Sequence, residues 1–157
     1  MDLQKSERFA SMDTLMPLIR ERLAAGQKVK FAPQGVSMLP MLRQGIDTVT
    51  ISPITGDLKK YDIPLYQRDN GQYILHRVIS VGDTVACMGD NQFVPETGLR
   101  RVQMIAVVTS FSRGDREIPV TSPLYRAYCR FWHYSRPVRH FWRRGMGWLN
   151  RKLRPRA

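Results

Sequence analysis

The chain has 157 residues, of which 43% are hydrophobic and 24% charged, enough to bury one domain core and too apolar for a disordered chain. Its net charge is +12, yet residues 121–157 hold ten of the 25 basic side chains and no Asp or Glu, so the remainder is close to neutral. Two cysteines, Cys87 and Cys129, do not make a disulfide framework, and no tight grouping of ligands points to a metal or any other cofactor.

The first 28 residues form an N-terminal segment. It lacks the continuous apolar core of a signal peptide. No stretch approaches the ~20 apolar residues of a spanning helix. These features predict a chain that is cytoplasmic or peripheral at a membrane. Leu15, Met16, Ile19 and Leu23 recur at helical spacing ahead of Gly26, predicting an amphipathic helix over 12–25.

Residues 29–120 read as β structure. Short apolar runs lie at Lys28–Phe31, Thr48–Ile51, Ile63–Gln67, Gln72–Val81, Thr84–Met88 and Val102–Phe111. Turn clusters separate them, with Asn70-Gly71 the strongest hairpin signal. Many short strands joined by tight turns predict a mainly β, barrel-like fold with flanking N- and C-terminal helices. Residues 121–157 form a basic aromatic tail, in which all three tryptophans alternate with arginines. Pro123 suits a first helical turn, and Pro137 should divide the helix.

Chemistry first appears at Gly35-Val36-Ser37-Met38-Leu39-Pro40. A serine hydroxyl attacks only when a base takes its proton and donors await the oxyanion. Glycine before it permits close backbone approach, and proline after it restricts the loop. Alone, this is a turn containing a serine. Its company changes that. Ser37-Met38-Leu39-Pro40-Met41-Leu42 resembles the nucleophile box of type I signal peptidases. Gly45-Ile46-Asp47 leading into Thr48-Val49-Thr50-Ile51 resembles the next box. Tyr73-Ile74-Leu75-His76-Arg77-Val78-Ile79 resembles the box of the base, and Gly89-Asp90-Asn91 the last one. The order matches over residues 29–111, within the superfamily that also holds LexA-like repressors.

The resemblance implies a signal-peptidase/LexA-like β fold and a serine endopeptidase, with Ser37 as nucleophile and His76 as base. Histidine in place of lysine is similar to the endoplasmic-reticulum and archaeal branch. An imidazole titrates near neutrality and suits the task without a heavily perturbed pKa. A histidine base needs an orienting carboxylate; Asp90 is the first candidate and Glu96 the alternative. In the family the nucleophile's own N–H serves the oxyanion, and many members add a serine hydroxyl two positions earlier, where this chain has Gly35. Gly35, Met38 and Pro40 are therefore expected beside the substrate or oxyanion.

The implied substrate is an extended precursor, preprotein or leader peptide, cut after small residues. Two alternatives stay open: a LexA-like self-cleaving regulator, and a peptide-binding module without catalysis. Trp132, Arg139, Trp142, Arg143, Arg144 and Trp148 are the expected contacts of the tail with an anionic membrane surface or a partner. A structural cap is the competing expectation. Nucleic acid is disfavoured because no recognised DNA-binding motif accompanies the charge.

Overall fold

The computed structural model describes residues 12–142. Helix α1 (Met12–Ala24) buries Met16, Ile19 and Leu23, the stripe expected from the spacing. It ends where Gly26 adopts a left-handed backbone with φ +73°, the usual helix stop.

Nine strands follow: β1 (Val29–Phe31), β2 (Val49–Ser52), β3 (Pro64–Gln67), β4 (Tyr73–Leu75), β5 (Arg77–Val81), β6 (Val85–Met88), β7 (Glu96–Leu99), β8 (Met104–Arg113) and β9 (Arg116–Pro119). All pairings are antiparallel. One sheet runs β1-β2-β8-β3-β4, with β9 also on β8; the other runs β5-β6-β7. The described strands form two antiparallel sheets, and no closed barrel is shown among the described residues. The fold is mainly β, as expected.

The long run Gln72–Val81 is divided. β4 belongs to the first sheet and β5 to the second, and His76 is the single residue between them. The β3–β4 hairpin turns at Asn70-Gly71 as expected, with Gly71 at φ +87°. Strands β7 and β9 were not expected. Glu-Thr-Gly-Leu and Arg-Glu-Ile-Pro carry too little apolar alternation to announce strands. The partner strands β6 and β8 supply the ladder instead.

One core lies between α1, the larger sheet and helix α2 (Pro123–Tyr134), with Ile51, Leu65, Ala106, Val108, Tyr125 and Cys129 inside it. A smaller core gathers Leu58, Tyr66, Val78, Val85, Cys87 and Leu99 against the second sheet. The helix of the tail breaks at Ser135 and resumes over 136–142. Pro137 has no N–H to donate and its ring collides with a continuing turn, which is the physical reason for the break. No helix among the described residues is long and apolar enough to cross a membrane.

Candidate active site

Ser37 lies in the loop between β1 and β2, and His76 is the residue between β4 and β5. The β5–β6 register pairs Arg77 with Met88, the residues next to His76 and Gly89 in the chain. The backbone of Ser37 lies on that glycine. A Cβ at position 89 would fall 2.5 Å from the Ser37 carbonyl oxygen, closer than any side chain tolerates. The Ser37 carbonyl accepts the Asn91 N–H at 2.8 Å, and the Asn91 side-chain amide donates to the Val36 carbonyl at 3.2 Å. The Gly89-Asp90-Asn91 turn is thus the cradle of the serine loop.

The loop is braced from its other end. Arg43 and the buried Asp47 form a bidentate pair at 2.8 and 2.9 Å, and the Arg43 side chain holds the Asp47 carboxyl below the usual carboxylate range. This accounts for Asp47 in the Gly-x-Asp box as a bracket. Gly35 has φ +90°, and its N–H donates to Gln44 Oε1 at 3.1 Å. That N–H is committed and is no oxyanion donor. Met38 is buried in the larger core, so its side chain packs and does not meet substrate. Among the described residues, the N–H groups of Ser37 and Met38 donate no hydrogen bond, which leaves two adjacent backbone donors for an oxyanion.

His76 is buried, and desolvation pushes its pKa down to about 4. Its Nδ1 lies 3.2 Å from Tyr66 Oη. The same hydroxyl lies 2.8 Å from Glu96 Oε2, and Arg68 grips Glu96 through Nε at 2.8 Å and Nη2 at 2.6 Å. The Arg68 pair, before other influences, holds the Glu96 carboxyl low and therefore ionised. An ionised carboxylate can only accept, so Tyr66 donates its one proton to Glu96. Tyr66 Oη must then accept from Nδ1–H of His76. That fixes the tautomer and leaves the Nε2 lone pair unprotonated, as a general base requires.

Asp90 does something else. Both its oxygens bind the buried Arg77, at 2.8 Å to Nε and 2.7 Å to Nη2. The expectation that Asp90 orients His76 by a hydrogen bond is corrected: both its oxygens bind Arg77, and no bond to His76 is present among the described residues. Glu96, the alternative, reaches the imidazole through Tyr66. Arg77 goes on to Tyr125 Oη at 2.8 Å, Cys129 Sγ at 3.0 Å and the Tyr61 carbonyl at 3.3 Å, tying α2 to the site. Tyr61 holds a left-handed backbone at φ +82°, uncommon for an aromatic residue.

No match was found to any protein-family model, curated protein or solved structure.

Beside the serine loop lies an apolar cleft of about 510 Å³, walled by Leu39, Pro40, Phe93, Trp132, Val138 and Trp142 among others. Pro40 is exposed there. Trp132 is anchored: its indole N–H donates to the Asp90 carbonyl at 2.9 Å, and the Arg139 guanidinium stacks 3.6 Å over its ring. Both are half-buried and tied into the fold. Trp142 remains exposed. Arg143, Arg144 and Trp148 lie outside the described residues.

The Ser37 hydroxyl makes no hydrogen bond to His76 among the described residues. Tyr66 and Arg68 were missed in the sequence, where Tyr66 looks like any strand aromatic and Arg68 like a turn residue.

Proposed function

We propose that the chain is a serine endopeptidase of the signal-peptidase kind. The observation that carries this reading is a neutral, Nδ1-anchored His76 next to the Arg77–Met88 pair, whose following residue, Gly89, meets the Ser37 backbone. Ser37 Oγ attacks the scissile carbonyl while Nε2 of His76 takes its proton. The oxyanion meets the N–H groups of Ser37 and Met38. As the C–N bond breaks, His76 returns the proton to the leaving amine. Water, deprotonated by His76, then hydrolyses the ester to free Ser37. The Glu96–Tyr66 pair stabilises the imidazolium formed at each step, in the role an orienting carboxylate normally fills.

The substrate is an extended precursor or leader peptide, whose side chains enter the apolar cleft beside Pro40. Cutting after small residues follows from the family resemblance. The fine fold is of the signal-peptidase/LexA kind, for which two antiparallel sheets with flanking helices are a suitable frame. Ser37 closes on His76 when substrate fills the cleft, since catalytic hydrogen bonds often tighten only in the complex.

The absent Ser37–His76 hydrogen bond favours a second reading, a peptide-binding module without catalysis. One experiment separates them. The purified full chain is incubated with a signal-peptide-like library beside Ser37→Ala and His76→Ala. Cleavage lost in both variants supports the peptidase. Binding without cleavage in all three proteins selects the module.

A further inference from the structure

A second cleft, of about 710 Å³, opens on the far side of Phe93 and is lined by Phe93, His133, Arg136, Pro137, His140 and Phe141. Three of these six can donate to an anion, and no Asp or Glu lines it. Helical hydrogen bonds run on through the interruption, from the Ser135 N–H to the Phe131 carbonyl at 2.9 Å and from the Arg139 N–H to the Ser135 carbonyl at 3.1 Å, so His133, Arg136 and His140, spaced three and four residues apart, share one face.

Arg136 is the anomaly. Its Nε and Nη2 are shut off from solvent and have no hydrogen-bond partner among the described residues, and the same holds for Nδ1 of His133. A buried donor without an acceptor costs about 1–3 kcal/mol, and more when charged. Folded proteins therefore pair such groups. Desolvation first, then Arg139, disfavours the Arg136 cation, while Asp90 alone supports it. Asp90 is already committed to Arg77 in two hydrogen bonds. Lys60 and Arg136 likewise bear on His133. Nor can the tail supply a counter-charge from its side chains, for residues 121–157 contain no Asp or Glu.

The cluster is also held in place. His133 meets Tyr61 and Tyr134 edge-on at 5.7 and 5.2 Å, and His140 meets Phe93 at 4.7 Å. A planar guanidinium and two separate imidazoles match an anion with several oxygens at tetrahedral angles better than a two-oxygen carboxylate. We propose that the cleft formed by His133, Arg136 and His140 is a binding site for a phosphate-class oxyanion.

Two sources offer that chemistry: a soluble phosphate and the phosphodiester of an anionic lipid. The test titrates the full chain with inorganic phosphate by calorimetry, against chloride of equal ionic strength. In parallel, it is floated with vesicles of phosphatidylglycerol and phosphatidylcholine, and with phosphatidylcholine alone. Loss of charge-assisted hydrogen bonds predicts that Arg136→Gln weakens phosphate binding about tenfold or more. Arg126→Gln, an exposed charge on the same helix, should leave it unchanged. If Arg136→Gln also lowers flotation with phosphatidylglycerol, and phosphate competes, the source is lipid. If flotation is equal in both variants while phosphate binding falls, the source is a soluble phosphate. Equal phosphate affinity in the two variants, or no phosphate binding by the wild type together with equal flotation, overturns the proposal. Should circular dichroism show Arg136→Gln unfolded, His140→Gln carries the same comparison, with a loss of about threefold or more expected and an unchanged affinity refuting the site.

Discussion

Tyr66→Phe removes one oxygen atom from the centre of the site, and its cost can be worked out partner by partner. The hydroxyl donates to Glu96 and accepts from His76. Glu96 keeps both hydrogen bonds from Arg68, so the carboxylate is not orphaned. His76 fares differently. Its Nδ1–H loses the partner that the structure provides, and the ring is buried. A buried donor left unsatisfied costs about 1–3 kcal/mol, with little added for the small void. The urea midpoint should fall accordingly, with the slope unchanged. The tautomer is no longer fixed, so long-range proton–nitrogen spectra of the imidazole should show the Nε2–H form appearing. Outer partners that orient a working histidine are worth about 10–100-fold when removed, and peptide cleavage should fall by that order at pH 7. A variant within ~0.5 kcal/mol of the wild type that keeps the Nδ1–H tautomer would refute the hydrogen-bond assignment.

Two further outcomes test the surroundings. Asp90→Asn leaves the Arg77 cation buried against a neutral amide, a change that typically costs about 3–5 kcal/mol; denaturant melts should show it, while Ser37→Ala stays within about 0.5 kcal/mol. Activity lost from Asp90→Asn at full stability would place Asp90 at the imidazole after all. His76 is held near a pKa of about 4 against 6.5 in the unfolded chain. Between those values the unfolded state binds a proton that the folded state refuses. Its contribution is therefore complete above about pH 6.5 and declines as pH falls towards 4, by on the order of 3 kcal/mol. Urea midpoints at pH 7.5 and 5 should diverge more in the wild type than in His76→Gln; an equal divergence would show that His76 is not desolvated in the folded state.

The parts of the fold that were legible in the sequence are those whose signal is local. The stripe of Met16, Ile19 and Leu23, the Asn70-Gly71 turn and the interruption near Pro137 each follow from spacing or backbone chemistry within a few residues. The division of the Gln72–Val81 run at His76 was not legible. Its apolar residues suit one strand as well as two, and only the packing of two sheets decides. Strands β7 and β9 are polar edge-like pieces whose partners lie elsewhere in the chain. The site divides the same way. Ser37 and His76 stand out by the boxes around them. The hand-off from Glu96 through Tyr66 joins positions ten and thirty residues apart, and no periodicity encodes it. Asp90 beside Asn91 invites a catalytic role in sequence, but its nearest cation in space is Arg77, and a buried guanidinium claims both oxygens.

Helix α2 has a mechanical relation to this chemistry. Through Tyr125 and Cys129 it holds Arg77, which is bonded covalently to His76; through Trp132 it holds the Asp90 carbonyl, in the same peptide group as the Asn91 N–H that fixes Ser37. The helix therefore has one grip beside His76 and one beside Ser37. Displacing it strains both grips at once, and whatever favours a particular seat for the helix favours the matching separation of Ser37 from His76. By thermodynamic reciprocity, any ligand that changes that separation pulls on α2 in return, so occupancy of the cleft and the seating of α2 are linked quantities.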